Sequence, residues 1–208
     1  MPEHNDPLTG LPDRVALEHA LKPLIKAADG VALAALDVDH ILGINAEFGS
    51  EAGDQVLRTL AHLLAESEPG SAYRITGDEF MIVLPGLSLE EAFLRVEALR
   101  KQIAGATQQF GLPGQRAVTV TIGVAQHPRD AKDAHGLLEA AAAALQAAKE
   151  GGRNRVGLPP NEEMVMKSCY YPATSVRKLK ALAERLKRKE SHLLREALDD
   201  LFRKYDIP

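Results

Sequence analysis

The chain has 208 residues, 45% hydrophobic and 26% charged, with a formal net charge of −4, a balance that excludes a disordered or fibrous chain and allows one ordinary domain with an appendage, or two small domains. No uninterrupted apolar run approaches the roughly 20 residues of a membrane-spanning helix, MPEHNDPLTG lacks the basic start and apolar segment of a signal peptide, and the single Cys169 excludes an internal disulfide; no membrane contact and a cytoplasmic setting are expected. Residues 164–208 hold 11 Lys and Arg against 6 Asp and Glu, so the acidic excess lies in residues 1–163 and the two parts are expected to meet different partners.

In chain order, DRVALEHALKPLIKAA (13–28) carries apolar residues at helical spacing behind Asp13, an N-cap residue type. GVALAALDVD (30–39) reads as a buried strand, and EAGDQVLRTLAHLLAES (51–67) returns to helical period. SAYRI (71–75) and FMIVLP (80–85) flank a Gly-containing turn, which is a hairpin signal. LSLEEAFLRVEALRKQIAGA (87–106) predicts an amphipathic helix capped by Ser88, and RAVTVTIGVA (116–125) a β-branched strand. DAHGLLEAAAAALQAAKEGGRN (133–154) predicts a helix stopped by Gly151 and Gly152. Helices alternating with a few strands indicate an α/β sandwich with a mostly antiparallel central sheet.

VGLPPNEE (156–163), with two successive prolines, marks a boundary. The expected division is a domain over 1–157, a linker over 158–163 and a second domain over 164–208. There MVMKSCYYP is an extended run, and ATSVRKLKALAERLKRK and ESHLLREALDDLFRKY are helical, with Leu179, Leu182 and Leu186 on one face and Leu194, Ala197, Leu198 and Leu201 on the other. A strand and two short helices in about 45 residues cannot bury both faces, so a homodimer is expected.

Chemistry is suggested where two acidic clusters end apolar runs, LDVD (36–39) and the TGDEF turn (76–80). Asp37 and Asp78, on different strands, can share a divalent cation such as Mg²⁺, which takes one or two carboxylates plus substrate phosphates, and such a cation stabilises charge developing in phosphoryl transfer. Carboxylates in loops are more often caps and solvated turn residues than metal ligands, and Asp39 fits capping of a following helix as well as metal contact. Spacing alone does not choose. The seven histidines show no paired ligand spacing.

DPLTGLPDR (6–14), LDVDHILGINAEFGSEAGDQVL (36–57), RITGDEF (74–80), VTVTIGVA (118–125) and AAKEGGRN (147–154) together resemble the successive motifs of the GGDEF diguanylate cyclase family over about residues 5–157. The resemblance implies an adenylate-cyclase-like α/β palm that binds GTP or a related guanine nucleotide with Mg²⁺ or Mn²⁺, two copies condensing two GTP into cyclic di-GMP. It implies Asp37, Asp78 and the Val38 carbonyl as metal ligands, Asn45 and Asp54 at the guanine edge, and Lys149 and Arg153 at the triphosphate. Gly77 then brings the turn backbone close to the nucleotide, and Asp78 and Glu79 are the signature acids of catalysis. Asp6, Leu8 and Thr9 match an entrance motif with a structural or protomer-contact role.

Several positions depart from that pattern. Thr76 stands at the first signature glycine, Leu42 at a lysine near the phosphates, Ala46 at an aspartate after Asn45, and Ala142 and Gln146 at an aspartate and a tyrosine of the last helix. Binding is therefore expected and turnover is open. The family's inhibitory Arg-x-x-Asp site falls on SEPG (67–70), so product feedback by that route is not expected. Only five residues precede DPLTG, and no N-terminal sensor is expected.

VMKSCYYPATSVRKLKALAERLKRKESHLLREALDDLFRKY (165–205) resembles the ribbon-helix-helix family of small dimeric DNA-binding domains. The resemblance implies a two-chain ribbon in the major groove of double-stranded DNA, with Met166, Ser168 and Tyr170 facing the bases in the favoured register, or Lys167 and Cys169 after a one-residue slip. Lys187, Arg188, Lys189 and Ser191 would meet phosphate. A dimerising helical hairpin with a merely solvated basic face is the plainer alternative. The function expected is a guanine-nucleotide-binding transcriptional regulator; the alternatives are an active diguanylate cyclase dimerised by its C-terminal domain, and a scaffold that binds neither ligand.

Overall fold

In a computed structural model, the structure describes residues 4–27, 30–66, 71–160, 170–186 and 190–205. The chain divides into two compact units, Met1–Asn161 and Glu162–Pro208.

The first unit runs α1 (Arg14–Ala27), β1 (Val31–Val38), α2 (Ile41–Phe48), α3 (Ser50–Glu66), β2 (Ser71–Thr76), β3 (Glu79–Pro85), α4 (Leu89–Gly105), the single turn α5 (Thr107–Phe110), β4 (Val120–His127), α6 (Ala134–Glu150) and β5 (Val156–Gly157). The sheet order is β2-β3-β1-β4-β5, antiparallel except for the short parallel β4–β5 pair. This is an α/β fold with a mixed central sheet, as expected.

β1 is the central strand, and its alternation sorts the core. Ala32, Ala34 and Leu36 face one cluster with Leu60, Phe80, Val96 and Ile122. Leu33 and Ala35 face another, with Leu17 and Leu21 of α1 and Leu137 and Leu145 of α6. Helices α3 and α4 therefore cover one face, and α1 and α6 the other. Each fully buried Leu or Phe here contributes roughly 1.5–3 kcal/mol.

The caps explain where helices start. Asp13 Oδ1 accepts from Ala16 N at 3.0 Å, Ser88 and Glu91 form a reciprocal capping box, and Asp133 accepts from Gly136 N at 2.8 Å. The strand expected over 116–125 joins the ladder only at Val120, because its partner β1 ends at Val38. Helix α2 was not foreseen as an element of its own; Gly49, at φ 90°, separates it from α3.

The second unit contains α7 (Ala173–Leu186) and α8 (Glu190–Lys204), which pack on each other. Ala183 and Leu193 are buried, whereas Val176, Leu186, Leu194, Leu198 and Leu201 are exposed.

Candidate functional site

The tip of the β2–β3 hairpin is a two-residue turn, Gly77–Asp78. Gly77 has φ 49°, the positive value that glycine supplies at the first position of such turns. Thr76 pairs with Glu79 while Arg74 pairs with Phe80, so Ile75 forms a bulge. Thr76 itself is an exposed ladder residue, and the fold does not require glycine there.

Arg74, which sequence reasoning passed over, fixes this tip. Its Nε and Nη2 donate to the Gly77 carbonyl at 3.1 and 2.7 Å, and its Nη1 donates to Asp6 Oδ1 at 2.7 Å. Asp6 Oδ1 also accepts from Thr9 N and Thr9 Oγ1. Burial pushes the Asp6 carboxyl up, but the hydrogen bonds from Thr9 and Arg74 outweigh it and hold the group below its ordinary range. The signal for Arg74 in the sequence was a lone cation inside a strand beside the acidic turn.

Asp37 and Glu79 are directly paired across β1 and β3, so their side chains leave the same face. Val38 N donates to the Asp78 carbonyl at 3.3 Å, which ties the end of β1 to the hairpin tip. Lys149, in the last turn of α6, sets its ammonium 2.7 Å from Asp37 Oδ2. A cavity of about 460 Å³ opens here, lined by Asp37, Val38 and Asp78, by Leu42, and by Lys149 and Arg153, a size ordinary for small-ligand sites. Leu42 is 80% exposed and brings no charge to it.

Burial lifts the Asp37 carboxyl above its ordinary range; the Lys149 hydrogen bond and charge oppose this, and the charges of Asp78 and Asp39 add to it. Glu79 is lifted by burial and then by the charge of Asp37. Crowded carboxylates with too little positive charge are a site that favours a cation. Among the described residues no three His, Cys, Asp or Glu side chains form a complete metal set. Asp37 and Asp78 line one cavity, and paired carboxylates suit a hard ion that keeps waters or substrate phosphates as its other ligands.

Asp39, expected to cap the next helix or to touch metal, does not cap α2 and is not in the cavity lining. His40, in a left-handed conformation with no side-chain bond, caps α2, and Asp39 is buried at 4% exposure. Its Oδ1 accepts from Thr121 Oγ1 at 2.6 Å, and its Oδ2 from Thr119 Oγ1 at 2.7 Å and Asn154 N at 3.1 Å. Arg153 and Asn154 are both left-handed, at φ 60° and 45°, a conformation that costs an ordinary L-residue roughly 1–2 kcal/mol.

The other expected nucleotide residues, Asn45, Asp54 and Gly77, are not in the lining of this cavity. Asn45 sits on α2 and Asp54 on α3. A Cβ at Gly53 would overlap the Asn45 carboxamide, so glycine lets α3 approach it. Asn45 Oδ1 is buried against Gly53 and has no hydrogen-bond partner. Glu79 lines a neighbouring cleft with Arg14, Glu18 and Ala142. Gln146 turns to Glu150, Nε2 donating to Oε1 at 2.9 Å.

Of the expected DNA-contacting residues, Met166, Ser168, Lys187, Arg188 and Lys189 lie outside the described residues, as do residues 67–70 of the expected feedback motif. Ser191 falls in the first turn of α8. Tyr170 is fully exposed and belongs to no strand.

Residues 3–155 match the family described as diguanylate cyclase, GGDEF domain, and residues 170–206 match the ribbon-helix-helix domain. The chain is 34% identical over 167 residues to YhcK of Bacillus subtilis, covering 77% of this chain and 46% of that one. It is 38% identical over 159 residues to the diguanylate cyclase DgcP of Pseudomonas aeruginosa, covering 73% and 23%. The chain thus spans less than half the length of these relatives. Among solved structures, the coiled coil and GGDEF domain of DgcB from Caulobacter crescentus, in complex with c-di-GMP, superposes with a TM-score of 0.67 at 31% identity, covering 74% of this chain and 84% of that one. No helix among the described residues is long and apolar enough to cross a membrane. With its five-stranded palm, its acidic hairpin tip and these matches, the chain belongs to the diguanylate cyclase GGDEF family and carries a ribbon-helix-helix domain after the GGDEF domain.

Proposed function

We propose that the GGDEF domain binds GTP or a related guanine nucleotide together with Mg²⁺ or Mn²⁺, and that the C-terminal domain dimerises and binds duplex DNA, so that nucleotide occupancy regulates transcription. The observation that carries the nucleotide half is the cavity in which Asp37, Val38 and Asp78 face Lys149 and Arg153. Carboxylates suit a divalent ion, and the lysine and arginine suit the phosphates of a polyanion. The metal would be held by Asp37, Asp78 and the Val38 carbonyl, and when bound it supplies neutralisation of phosphate charge. Asn45 on α2 and Asp54 on α3 supply an amide and a carboxylate, the group types that suit a guanine edge.

Lys149 has two roles in this reading. Without nucleotide its ammonium neutralises Asp37; with a triphosphate present it turns to the phosphates and leaves the carboxylate to the metal. Metal and nucleotide then bind more tightly together than either does alone.

Leu42 favours binding over turnover, since it adds no charge at the cavity. The second reading, an active diguanylate cyclase dimerised by the C-terminal domain, is favoured by one observation: Asp37, Asp78, Lys149 and Arg153 all converge on the cavity. Incubation of the protein with GTP and Mg²⁺, with and without duplex DNA, separates the two. Bound, unconverted GTP that changes DNA affinity supports the regulator; cyclic di-GMP in the eluate supports the cyclase. Absence of both binding and product overturns both.

A further inference from the structure

Asp39 follows the strand that carries Asp37, yet it does not line the cavity. Its two buried oxygens are taken up by Thr121 Oγ1, Thr119 Oγ1 and the Asn154 amide. That amide also reaches Thr121 Oγ1 at 3.0 Å. From the other side, Arg100 Nη1 donates to Asn154 Oδ1 at 2.6 Å, while Arg100 is itself gripped by Glu97 through Nε and Nη2, each at 2.8 Å. Asn154 is the second of two successive left-handed residues, and the first, Arg153, lines the cavity. Two non-glycine residues at positive φ persist only where their surroundings over-determine them. Here the surroundings are one carboxylate just past β1, two hydroxyls on or beside β4 and one guanidinium on α4.

We propose that Asp39 is a positioning residue: through Thr119, Thr121 and the Asn154 amide it holds the Arg153–Asn154 turn left-handed, and so aims Arg153 at the phosphates of the bound nucleotide. The assignment rests on the nucleotide reading above. It explains why a buried charge sits one residue past Val38 without touching the cavity. A buried carboxylate is tolerated when its oxygens are hydrogen-bonded, and three donors satisfy this one.

The test is a double-mutant cycle on the full chain. Affinities for GTP and for GMP are measured with Mg²⁺ in wild type, Asp39→Ala, Arg153→Ala and the double variant. Asp39→Ala is expected to weaken GTP by about tenfold, the scale of a lost charge-assisted phosphate contact, and GMP by less than about twofold. In the Arg153→Ala background it is expected to weaken GTP no further. Equal losses for GTP and GMP, or a full loss repeated in the Arg153→Ala background, overturn the proposal. If Asp39→Ala does not fold, Thr121→Val, which deletes a donor while keeping the shape, takes its place in the same cycle. If wild type binds neither nucleotide, the functional reading fails, and the clamp is judged by tryptic cleavage after Arg153 in the nucleotide-free protein. Faster cleavage in Thr121→Val than in wild type then supports the clamp, and equal rates overturn it.

Discussion

The two units of this chain solve the burial problem differently. The GGDEF domain closes its own core: β1 is buried along almost its whole length, and helices cover both faces of the sheet. The helices of the C-terminal unit leave Val176, Leu186, Leu194, Leu198 and Leu201 exposed. A unit of about 45 residues that leaves four of its leucines exposed would gain stability by sharing them with a second copy. The comparison teaches where each unit draws its stability, within the chain for one and from association in the proposed dimer for the other.

The contrast can be broken at either end. Leu198→Asp places a charge on the exposed face of α8 and is expected to abolish the proposed dimer and lower DNA affinity by about 100-fold or more. Sedimentation and a DNA titration check this, while the GGDEF melting transition should stay in place. Gly123→Ala is the mirror experiment. A Cβ at residue 123 meets the backbone of α6 at Ala141 and Leu145, so the GGDEF domain should lose about 1–3 kcal/mol with dimerisation unchanged, as read by denaturant unfolding and sedimentation.

Smaller effects sharpen the site. Asp78→Ala should reduce metal-dependent GTP affinity by about tenfold; unchanged affinity in calorimetry would exclude the metal assignment. Lys149→Met carries opposite signs for two ligands. Mn²⁺ alone, followed by electron paramagnetic resonance, should bind several-fold tighter because Asp37 is no longer neutralised, whereas GTP should bind more weakly. The smallest change expected is a gain. Glu79 is raised in the folded state by burial and by Asp37, so the native state holds its proton to higher pH than the unfolded chain does. Stability of the wild type therefore falls as pH rises from the ordinary glutamate value of 4.5 through the raised one. Glu79→Gln should remove that slope and add about 1 kcal/mol or less at neutral pH, with the two proteins converging in acid.

Much of the fold was legible because its signals are local. The apolar run at 30–39, the Ser88 and Asp133 caps and the hairpin around Gly77 each declare themselves within a few residues. What was not legible depends on distant partners. The helix α2 hides because Gly43 sits inside its eight residues, and β5 is two residues long and exists only through its pairing with β4. Asp37, Asp78, Lys149 and Arg153 could be named from their motifs, and they meet at one cavity. Asp39 and Arg74 could not be given their roles, since the bonds that define them run to Asn154, Thr121 and Asp6, far along the chain. A carboxylate before a helix reads as a cap until the threonines that claim it are in view.

β1 is hydrogen-bonded on both sides and carries three alanines, which let both helical layers lie close to it. Its amides should be among the last in the chain to exchange with solvent. Asp37 is thus mounted on the slowest-opening part of the molecule and stays where it is when a ligand arrives. In the proposed regulator, a message from the cavity must leave by a part that can shift, the Lys149 side chain. The strand is the anvil of this site, and the signal begins at the last turn of α6.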